Sequence, residues 1–286
     1  SKGKGSTVTI AAKLLQSLGH RTGMITSPHL VSWYERIRID GRAIPEADFF
    51  RILSDLKPEI DLVDAALADD EYISPQGIFL LIALRWFDEQ NVTVAVLEVG
   101  RGGRFDDIAL VPNRVSLFAP IILEHAQYMG NSVERIAWHK SGIIKPSSSA
   151  ISVPQSASVL EVLRSEANEL RASFHWLAKA DMGEYLGDTD DGILVNLPGY
   201  GECAMPLLGR YQIENVALAL HGVAQIQQTL GGVRYSSDDY SERIQAGLQT
   251  LRWPGRLHKL QDDPAVYVDG AINVKSAQVF LQSVET

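Results

Sequence analysis

The sequence GKGST, which begins at Gly3, combines glycines, a lysine and two hydroxyl side chains, and it runs directly into an apolar helical pattern. Glycines let the backbone approach oxygen atoms closely, and the N–H groups at the start of a helix face a bound anion. Lys4 would neutralise the outer phosphates of a nucleotide, and Ser6 or Thr7 would reach a magnesium ion. Gly5 separates the lysine from the serine and departs from the simplest form of such a loop. A flexible glycine-rich terminus is the alternative interpretation.

Three polar residues follow apolar runs that are expected to be buried strands: Ser27 after GMIT, Glu98 after VTVAVL, and His125 after the run that ends in IIL. Sheets of α/β proteins bind ligands at the carboxyl ends of their strands. A buried carboxylate is costly unless it is paired or metal-bound, so Glu98 is a candidate ligand. The alternatives are a turn cap for Ser27, a salt bridge for Glu98 and a capped core histidine for His125.

Glycines and arginines follow Glu98 in the stretch VGRGGRFD. The glycines suit a loop packed against a ligand or lid, or ordinary turns. Arg104 and Asp106 are candidates to fix this loop, with a structural arginine–aspartate pair as the alternative. In YERIRID, Arg36 is a candidate to hold a substrate carboxylate bidentately. For Arg38 we favour alternating charge on an exposed strand.

Helical and strand patterns alternate along most of the chain, which predicts a doubly wound, mostly parallel α/β sheet. Apolar periodicity predicts helices over residues 7–18, 43–63, 74–91, 132–142 and 157–172, and a long helix from residue 210. Short apolar runs predict strands over residues 22–26, 92–100, 114–122 and 148–155.

Residues 173–206 have a different pattern of short strands and turns, which predicts a small antiparallel sheet. RWPGRL places Pro and Gly side by side and predicts a hinge. After it, a strand, a turn and a helix form the first unit of a second, Rossmann-like α/β domain. We therefore expect an ATP-binding domain over residues 1–252, without its N-terminal strand, and a hinge with a truncated C-terminal domain over residues 253–286.

Composition narrows the classes of function. The chain has 286 residues, 26 basic against 35 acidic side chains and a net charge of −9, which argues against a general nucleic-acid binder. Cys203 is the single cysteine, so a disulfide framework within the chain is excluded. No apolar run is long enough to span a membrane. A cytoplasmic protein without a membrane or nucleic-acid partner is expected.

The order of seven motifs resembles the folylpolyglutamate synthase and dihydrofolate synthase family of Mur-ligase-like amide ligases. The motifs are MITSPHL, YERIRIDG, VLEVGRGGRFD, EHAQYMGNSVERIAWHKSGIIKP, LLGRYQIENVALAL, WPGRL and VDGAIN. The resemblance extends from Gly3 to about Ala277. The family is longer at both ends, with a strand before the loop and a complete C-terminal domain.

The resemblance implies an ATP- and Mg²⁺-dependent ligase that adds L-glutamate to a folate, to dihydropteroate, or to both. ATP phosphorylates a carboxylate, the amine attacks the acyl phosphate, and phosphate leaves. Such chemistry depends on positioning and on neutralisation of charge. The resemblance also implies two magnesium sites and a monomer. A Mur-type ligase for a different carboxylate, or a nucleotide-binding module without catalysis, are the alternatives.

The resemblance also implies roles for individual residues. Those assigned to ATP are Gly3, Lys4, Gly5, Ser6, Thr7, Gln212, Asn215, Arg256 and Asp269. Those assigned to Mg²⁺ are Ser6, Ser27, Glu98, His125 and, if carbamylated, Lys140. The catalytic set is Lys4, Glu98, His125 and Lys140, and the substrate-side set is Arg36, Arg104 and Asp106. An ordinary lysine that reaches from a helix to solvent is the alternative for Lys140.

One departure from the family pattern bears on catalysis. The chain has Ile272 where the family has a histidine that faces the phosphates. Isoleucine neither donates a hydrogen bond nor carries charge. The departure leaves the expected ATP and metal residues nearly complete and bears on substrate and rate.

Overall fold

The computed structural model describes residues 3–123, 129–230 and 235–270, together with residues 277, 278, 280, 281 and 283. In these ranges the helices are α1 (Lys4–Ser17), α2 (Glu46–Asp64), α3 (Pro75–Glu89), α4 (Val133–Ser141), α5 (Ala157–Glu169), α6 (Gln212–Leu230) and α7 (Ser237–Gln249). The strands are β1 (Thr22–Ile25), β2 (Ile37–Ile39), β3 (Arg42–Ala43), β4 (Val94–Leu97), β5 (Val115–Phe118), β6 (Ser149–Ser152), β7 (Ser173–Trp176), β8 (Glu184–Asp188), β9 (Ile193–Leu197), β10 (Gly201–Met205), β11 (His258–Asp262) and β12 (Ala265–Val268). The α/β class is therefore confirmed. No helix in the described ranges is both long and apolar enough to cross a membrane.

The first sheet has the strand order β3-β2-β1-β4. β1 pairs in parallel with β4, with Thr22 opposite Val94, and antiparallel with β2, with Gly23 opposite Ile39. Residues Thr22–Ile25 are all buried, as the continuous apolar run predicts. Because β1 and β4 are parallel, the residues that follow them, including Glu98, emerge at the same edge of the sheet.

The second sheet is wholly parallel and has the order β5-β6-β7. α5 connects β6 to β7 and α6 packs against β5 and β6. The third strand, Ser173–Trp176, begins inside the region expected to be antiparallel, so that expectation is wrong for these four residues. The reason is local: a strand that leaves α5 continues the βαβ pattern beside β6.

The small antiparallel sheet is confirmed over β8, β9 and β10, in the order β10-β9-β8. Its inward residues alternate with outward ones, so Ile193, Val195 and Leu197 are buried. These side chains join Ile10 and Leu14 of α1 and residues of α6 and α7 in the largest buried cluster. The sheet therefore covers α1, the helix that follows the glycine-rich loop.

The chain beyond RWPGRL forms an antiparallel hairpin of β11 and β12, with His258 opposite Val268. The predicted strand over the apolar run AVYV is confirmed as β12. The first strand of the hairpin was not predicted, since HKLQD shows no apolar alternation. The proposed division of the chain into two domains stays a prediction.

A cavity of about 440 Å³ lies between the first sheet, which ends in β4, and the second sheet, which begins with β5. It is lined along its length by β4 and β5 and is covered by apolar side chains of α1 and α6, among them Val8, Ala11, Leu218 and Val223. Lys4, Glu98 and Lys140 also line it. Because Glu98 follows β4, these charged residues mark the end of the cavity at the carboxyl edge of the strands.

Candidate functional site

The glycine-rich loop forms the start of α1. Gly3 adopts a left-handed backbone with φ 92°, and its carbonyl accepts a hydrogen bond of 2.8 Å from the Thr7 N–H. Gly5, Ser6 and Thr7 are buried in the first turn of the helix. A helix start with free N–H groups and no acidic residue in its first turn is suited to an anion. The loop is thus part of the fold, and the interpretation as a flexible terminus is wrong for residues 3–7.

Two buried amides lie behind this loop. The Asn215 side chain lies against Gly3, where an added Cβ would collide with it, and its Nδ2 donates to Gln212 Oε1 at 2.8 Å. Thr7 Oγ1 is 3.5 Å from Asn215 Oδ1. The structure therefore brings Gln212 and Asn215 to the loop itself, from the first turn of α6. Their assignment to the nucleotide stays a prediction.

Lys4 extends from the loop toward the ends of the strands. Its Nζ donates to the Gly100 carbonyl at 3.1 Å. Burial lowers the pKa of Lys4, while the nearby carboxylates of Glu98 and Asp106 act in the opposite direction. The Lys4 ammonium is thus a positive charge at the ends of the strands, with two acidic side chains near it.

Glu98 lies at the carboxyl end of β4 and is only 6% exposed. Its Oε2 accepts a hydrogen bond of 2.9 Å from the backbone N–H of Ser27, which lies two residues after β1. Burial raises the pKa of Glu98, and the Ser27 N–H, Lys4 and Arg256 oppose that rise. The two parallel strands thus bring Ser27 and Glu98 together, as the sequence predicts.

Asp106 faces Lys4 from the turn that begins at Asp107. Its Oδ1 accepts from the Ile108 N–H at 3.0 Å. Burial raises the pKa of Asp106, and Lys4 is among the groups that lower it. An added Cβ at Gly100 would lie 2.9 Å from Asp106 Oδ2, so this glycine permits the close approach. Asp106 is therefore part of the charged group around Lys4.

Lys140 reaches the same group from the last turn of α4. Its side chain is 7% exposed, so it does not extend to solvent as the alternative required. Burial, followed by the charge of Lys4, lowers the pKa of Lys140 to about 7, while Asp106 acts to raise it. We refer to Lys4, Glu98, Asp106 and Lys140 as the charged cluster.

Gly103 and Arg104 attach the loop after β4 to α4. The Arg104 N–H donates to the His139 carbonyl at 2.6 Å, and a Cβ at Gly103 would lie 2.7 Å from the Lys140 Cα. The Arg104 guanidinium pairs with Glu166 and lies 4.3 Å from the centre of the Trp138 ring. Arg104 is thus engaged by α4 and α5, and Glu166 takes the place of Asp106 as its carboxylate partner.

The remaining predicted positions lie nearby or outside the described residues. Arg36 Nε donates to His29 Nδ1 at 3.0 Å, and its guanidinium lies 4.8 Å from the centre of the Phe79 ring. Its substrate role stays a prediction. His125 and Ile272 lie outside the described residues.

The segment after α7 brings two further predicted residues to the site. Asp269 Oδ2 accepts from the Leu257 N–H at 2.8 Å, and Arg256 Nη1 donates to the Gly255 carbonyl at 3.0 Å. Arg256 lies close enough to Glu98 to lower its pKa. Trp253, which the sequence indicated only as part of a hinge, packs against Gly5. The sequence signal that could have identified Trp253 as a site residue is its position directly before Pro-Gly-Arg.

The donors at this edge suit a hard cation only in part. Carboxylate and hydroxyl oxygens are the ligands that Mg²⁺ prefers, and Ser6, Ser27 and Glu98 supply them. Within the described ranges no group of three His, Cys, Asp or Glu side chains is placed to hold a metal ion. Any magnesium site here therefore combines the Glu98 carboxylate with hydroxyl and phosphate oxygens, or with residues outside those ranges.

Comparison with known proteins gives consistent relatives. The chain is 28% identical over 298 residues to the dihydrofolate synthase/folylpolyglutamate synthase of Bacillus subtilis, covering 100% of the chain and 66% of that protein. It is 31% identical to the Mycobacterium tuberculosis protein of the same name, covering 99% of the chain and 60% of the relative. A scan against protein-family models found no match.

Solved structures agree with these relatives. Mycobacterium tuberculosis folylpolyglutamate synthase complexed with ADP and AMPPCP superposes with a TM-score of 0.87 at 30% identity, covering 100% of this chain and 64% of that one. A folylpolyglutamate synthase with AMPPCP and folate gives a TM-score of 0.87 at 24% identity, which shows the fold alone, covering 100% of this chain and 69% of that one. The chain spans between about a third and two thirds of the length of the first curated relatives.

Proposed function

We propose that this chain, which belongs to the folylpolyglutamate synthase and dihydrofolate synthase family, is the nucleotide-binding part of an ATP- and Mg²⁺-dependent ligase. The complete enzyme adds L-glutamate to a folate, to dihydropteroate, or to both. The observation that carries the proposal is the charged cluster, which lies at the start of α1 and at the carboxyl end of β4. We also propose that the enzyme is a cytoplasmic monomer.

The loop and Lys4 bind the polyphosphate of ATP in this proposal. The first-turn N–H groups of Gly5 and Ser6 donate to phosphate oxygens, and Lys4 neutralises the outer phosphates. Arg256 approaches from the segment after α7, on the same side as Glu98. A carboxylate of the acceptor attacks the terminal phosphorus, ADP leaves, and the amine of glutamate then displaces phosphate from the acyl phosphate.

Mg²⁺, when bound, neutralises the phosphate oxygens and stabilises the charge that develops during transfer. Ser6, Ser27 and Glu98 would hold it, together with His125 and, if carbamylated, Lys140. The two metal sites of the family are part of this proposal. Gln212 and Asn215 would support the loop and the bound nucleotide, and Asp269 would hold the ribose.

The environment of Lys140 suits carbamylation. A neutral amine is the form that attacks carbon dioxide, and the pKa of about 7 leaves much of the amine neutral near physiological pH. Addition of the amine nitrogen to the carbon, with loss of one proton, converts the cation into a carbamate anion. That anion would balance Lys4 and offer oxygen ligands to a cation.

The substrate-side residues of the proposal are Arg36, Arg104 and Asp106, of which Asp106 belongs to the charged cluster. Arg36 would hold an acceptor carboxylate from the segment before β2. Asp106 would influence the substrate only through its interaction with Lys4. Arg104 would fix the loop after β4, because its N–H donates to His139 of α4 and its guanidinium pairs with Glu166 of α5.

Phosphate release by the complete protein tests this function. The assay contains ATP, Mg²⁺ and glutamate, with dihydropteroate, tetrahydrofolate or no acceptor. We expect release that requires one of the two acceptors and is abolished by omission of glutamate. Release only with another carboxylate would support a different Mur-type ligase. ADP binding without release for any acceptor would support a module without catalysis, and both outcomes would contradict the proposal.

A further inference from the structure

The Trp253 indole lies directly against the glycine-rich loop. A Cβ built on Gly5 would be 3.1 Å from Trp253 Cζ2 and 3.6 Å from Glu98 Oε2. The ring also packs against the buried cluster that contains α1. Trp253 is thus the contact by which the segment that follows α7 meets the first turn of α1.

Two guanidinium groups from different parts of the chain approach this ring. The Arg38 guanidinium of β2 lies 5.9 Å from the ring centre, and that of Arg256 lies 6.0 Å from it. Arg38 is held in place because its Nε donates to the Glu35 carbonyl at 2.8 Å. Guanidinium groups at such distances from an indole are attracted by its electron-rich face. The Trp253 ring face can therefore hold the Arg256 guanidinium near the glycine-rich loop.

The indole nitrogen indicates a function beyond packing. Trp253 Nε1 is buried and has no hydrogen-bond partner among the residues that the structure describes. A buried indole N–H without a partner is unfavourable, because it loses its hydrogen bonds to water and gains none in the protein. Phenylalanine would fill much of the same space without this cost. The unpaired donor therefore belongs to a ring whose Cζ2 edge lies against Gly5, in the first turn of the glycine-rich loop.

We infer that Trp253 is a positioning residue that holds Arg256 over the glycine-rich loop and couples the segment of residues 253–256 to nucleotide binding. The inference rests on the proposed function for the identity of the ligand, a nucleoside polyphosphate. The ring edge supports the turn at Gly5, and its face supports Arg256. Loss of the ring therefore removes the contribution that Arg256 makes.

A double-mutant cycle in the complete protein tests this coupling. The variants are Trp253→Ala, Trp253→Phe, Arg256→Lys and the Trp253→Ala/Arg256→Lys pair, assayed for kcat and for the KM of ATP. We expect Trp253→Ala to lower kcat/KM for ATP about tenfold or more, and the double variant to be no worse than the poorer single variant, within about threefold. Trp253→Phe should fall between wild type and Trp253→Ala, because the ring face remains and the N–H is lost.

Trp176→Phe is the matched control, since Trp176 is 42% exposed and lies at the end of β7 over Arg164. Its kinetics should equal those of wild type. Multiplied effects in the double variant, or wild-type kinetics for Trp253→Ala, would overturn the inference.

A binding measurement covers the case in which Trp253→Ala does not fold. Titration with ADP should change the tryptophan fluorescence of the wild-type and Trp176→Phe proteins, and most of that change should be lost in Trp253→Phe. An unaltered change in Trp253→Phe would overturn the inference. Failure of the proposed function is distinguishable, because wild-type protein would then bind ADP without releasing phosphate, or would not bind ADP.

Discussion

The charged cluster contains two lysines and two carboxylic acids that burial pushes toward their neutral forms. Burial lowers the pKa values of Lys4 and Lys140 and raises those of Glu98 and Asp106. A polyphosphate would favour the charged lysines, and a bound cation would favour the charged carboxylates. The site is therefore electrostatically complementary to a nucleotide with its metal ion, and each partner strengthens binding of the other.

Lys4→Met tests the contribution of the loop lysine. The substitution removes the cation closest to the expected phosphates and keeps most of the side-chain length. We expect at least about a thirtyfold rise in the Kd for ADP, measured by calorimetry, because a charged hydrogen bond in a buried site contributes roughly 2 kcal/mol or more. Lys13→Met in the same helix is the control and should bind ADP as wild type does. Equal affinities for the two variants would contradict the assignment.

Lys140 predicts a pH dependence of stability in the metal-free protein. Its pKa is lowered from 10.5 to about 7 in the folded chain, so the unfolded chain binds more protons between these values. Stability therefore rises with pH across this window, and the unfavourable contribution of Lys140 is fully present below pH 7. Lys140→Met removes that contribution.

We expect Lys140→Met to melt above wild type at pH 6 in EDTA, with the difference shrinking as the pH rises to 9. Thermal unfolding followed by circular dichroism at several pH values measures this. Lys179→Met, at an exposed position, is the control and should show a pH-independent difference. A constant difference for Lys140→Met would show that the amine is not perturbed.

At the scale of elements, the loop after β4 is positioned by its packing on α4. A Cβ at Gly103 would collide with the backbone of His139 and Lys140, whereas one at Gly102 would meet no atom within 4 Å. We expect Gly103→Ala to destabilise the chain by about 1–3 kcal/mol, since backbone cannot move aside cheaply. Gly102→Ala should change stability by less than about 0.5 kcal/mol. Urea unfolding of both variants gives the comparison, and equal midpoints would contradict it.

Local sequence patterns were sufficient to predict the helices and strands that position the site residues. The start of α1, the ends of β1 and β4, and the Ser132 cap of α4, whose Oγ accepts from the Arg135 N–H at 3.2 Å, were all readable from glycine, apolar and capping signals. α7 was missed, although Ser236 caps it and two aspartates begin it, because its apolar face is sparse. Local signals are weakest where few side chains are buried.

Pairings between distant residues could not be predicted from the sequence. Arg104 pairs with Glu166, which is 62 positions away, and Asn215 lies behind Gly3 across 212 positions. Such partners depend on how α1, α4, α5 and α6 pack, and no spacing along the chain encodes that packing. The same reason explains why Trp253 was interpreted only as part of a hinge, although it contacts Gly5.

At the scale of the whole molecule, the cavity between β4 of the first sheet and β5 of the second sheet could hold one additional strand. β4 pairs with β1, and β5 pairs with β6, so that in the described ranges one edge of each strand faces the cavity without a strand beside it. Its lining is mostly apolar, and Ala95 of β4 is exposed within the strand. Protein interiors are close-packed, so an apolar space of about 440 Å³ is unusual.

A strand supplied ahead of Ser1 should fill this space and stabilise the chain. α1 begins at Lys4, which lines the cavity together with Glu98 at the carboxyl end of β4, so a strand that leads into the glycine-rich loop must run parallel to β4. An extension of about five β-branched residues, joined by a glycine-rich loop of about five more, would reach along both edges. Its backbone would pair on both sides, and its side chains would pack on α1 and α6.

We expect this extension to raise the melting temperature by about 4 °C or more, because burial of several apolar side chains contributes at least about 2 kcal/mol. The control carries the same extension with proline at its central position, which removes one N–H and disfavours a central strand. Calorimetry compares the two. If the extension pairs as a strand with both β4 and β5, only the extension without proline raises the melting temperature. Proline lacks the N–H that a strand between two others must donate. An equal rise in both would show that hydrophobic contact alone is responsible, and no rise in either would show that β4 and β5 are not a strand site.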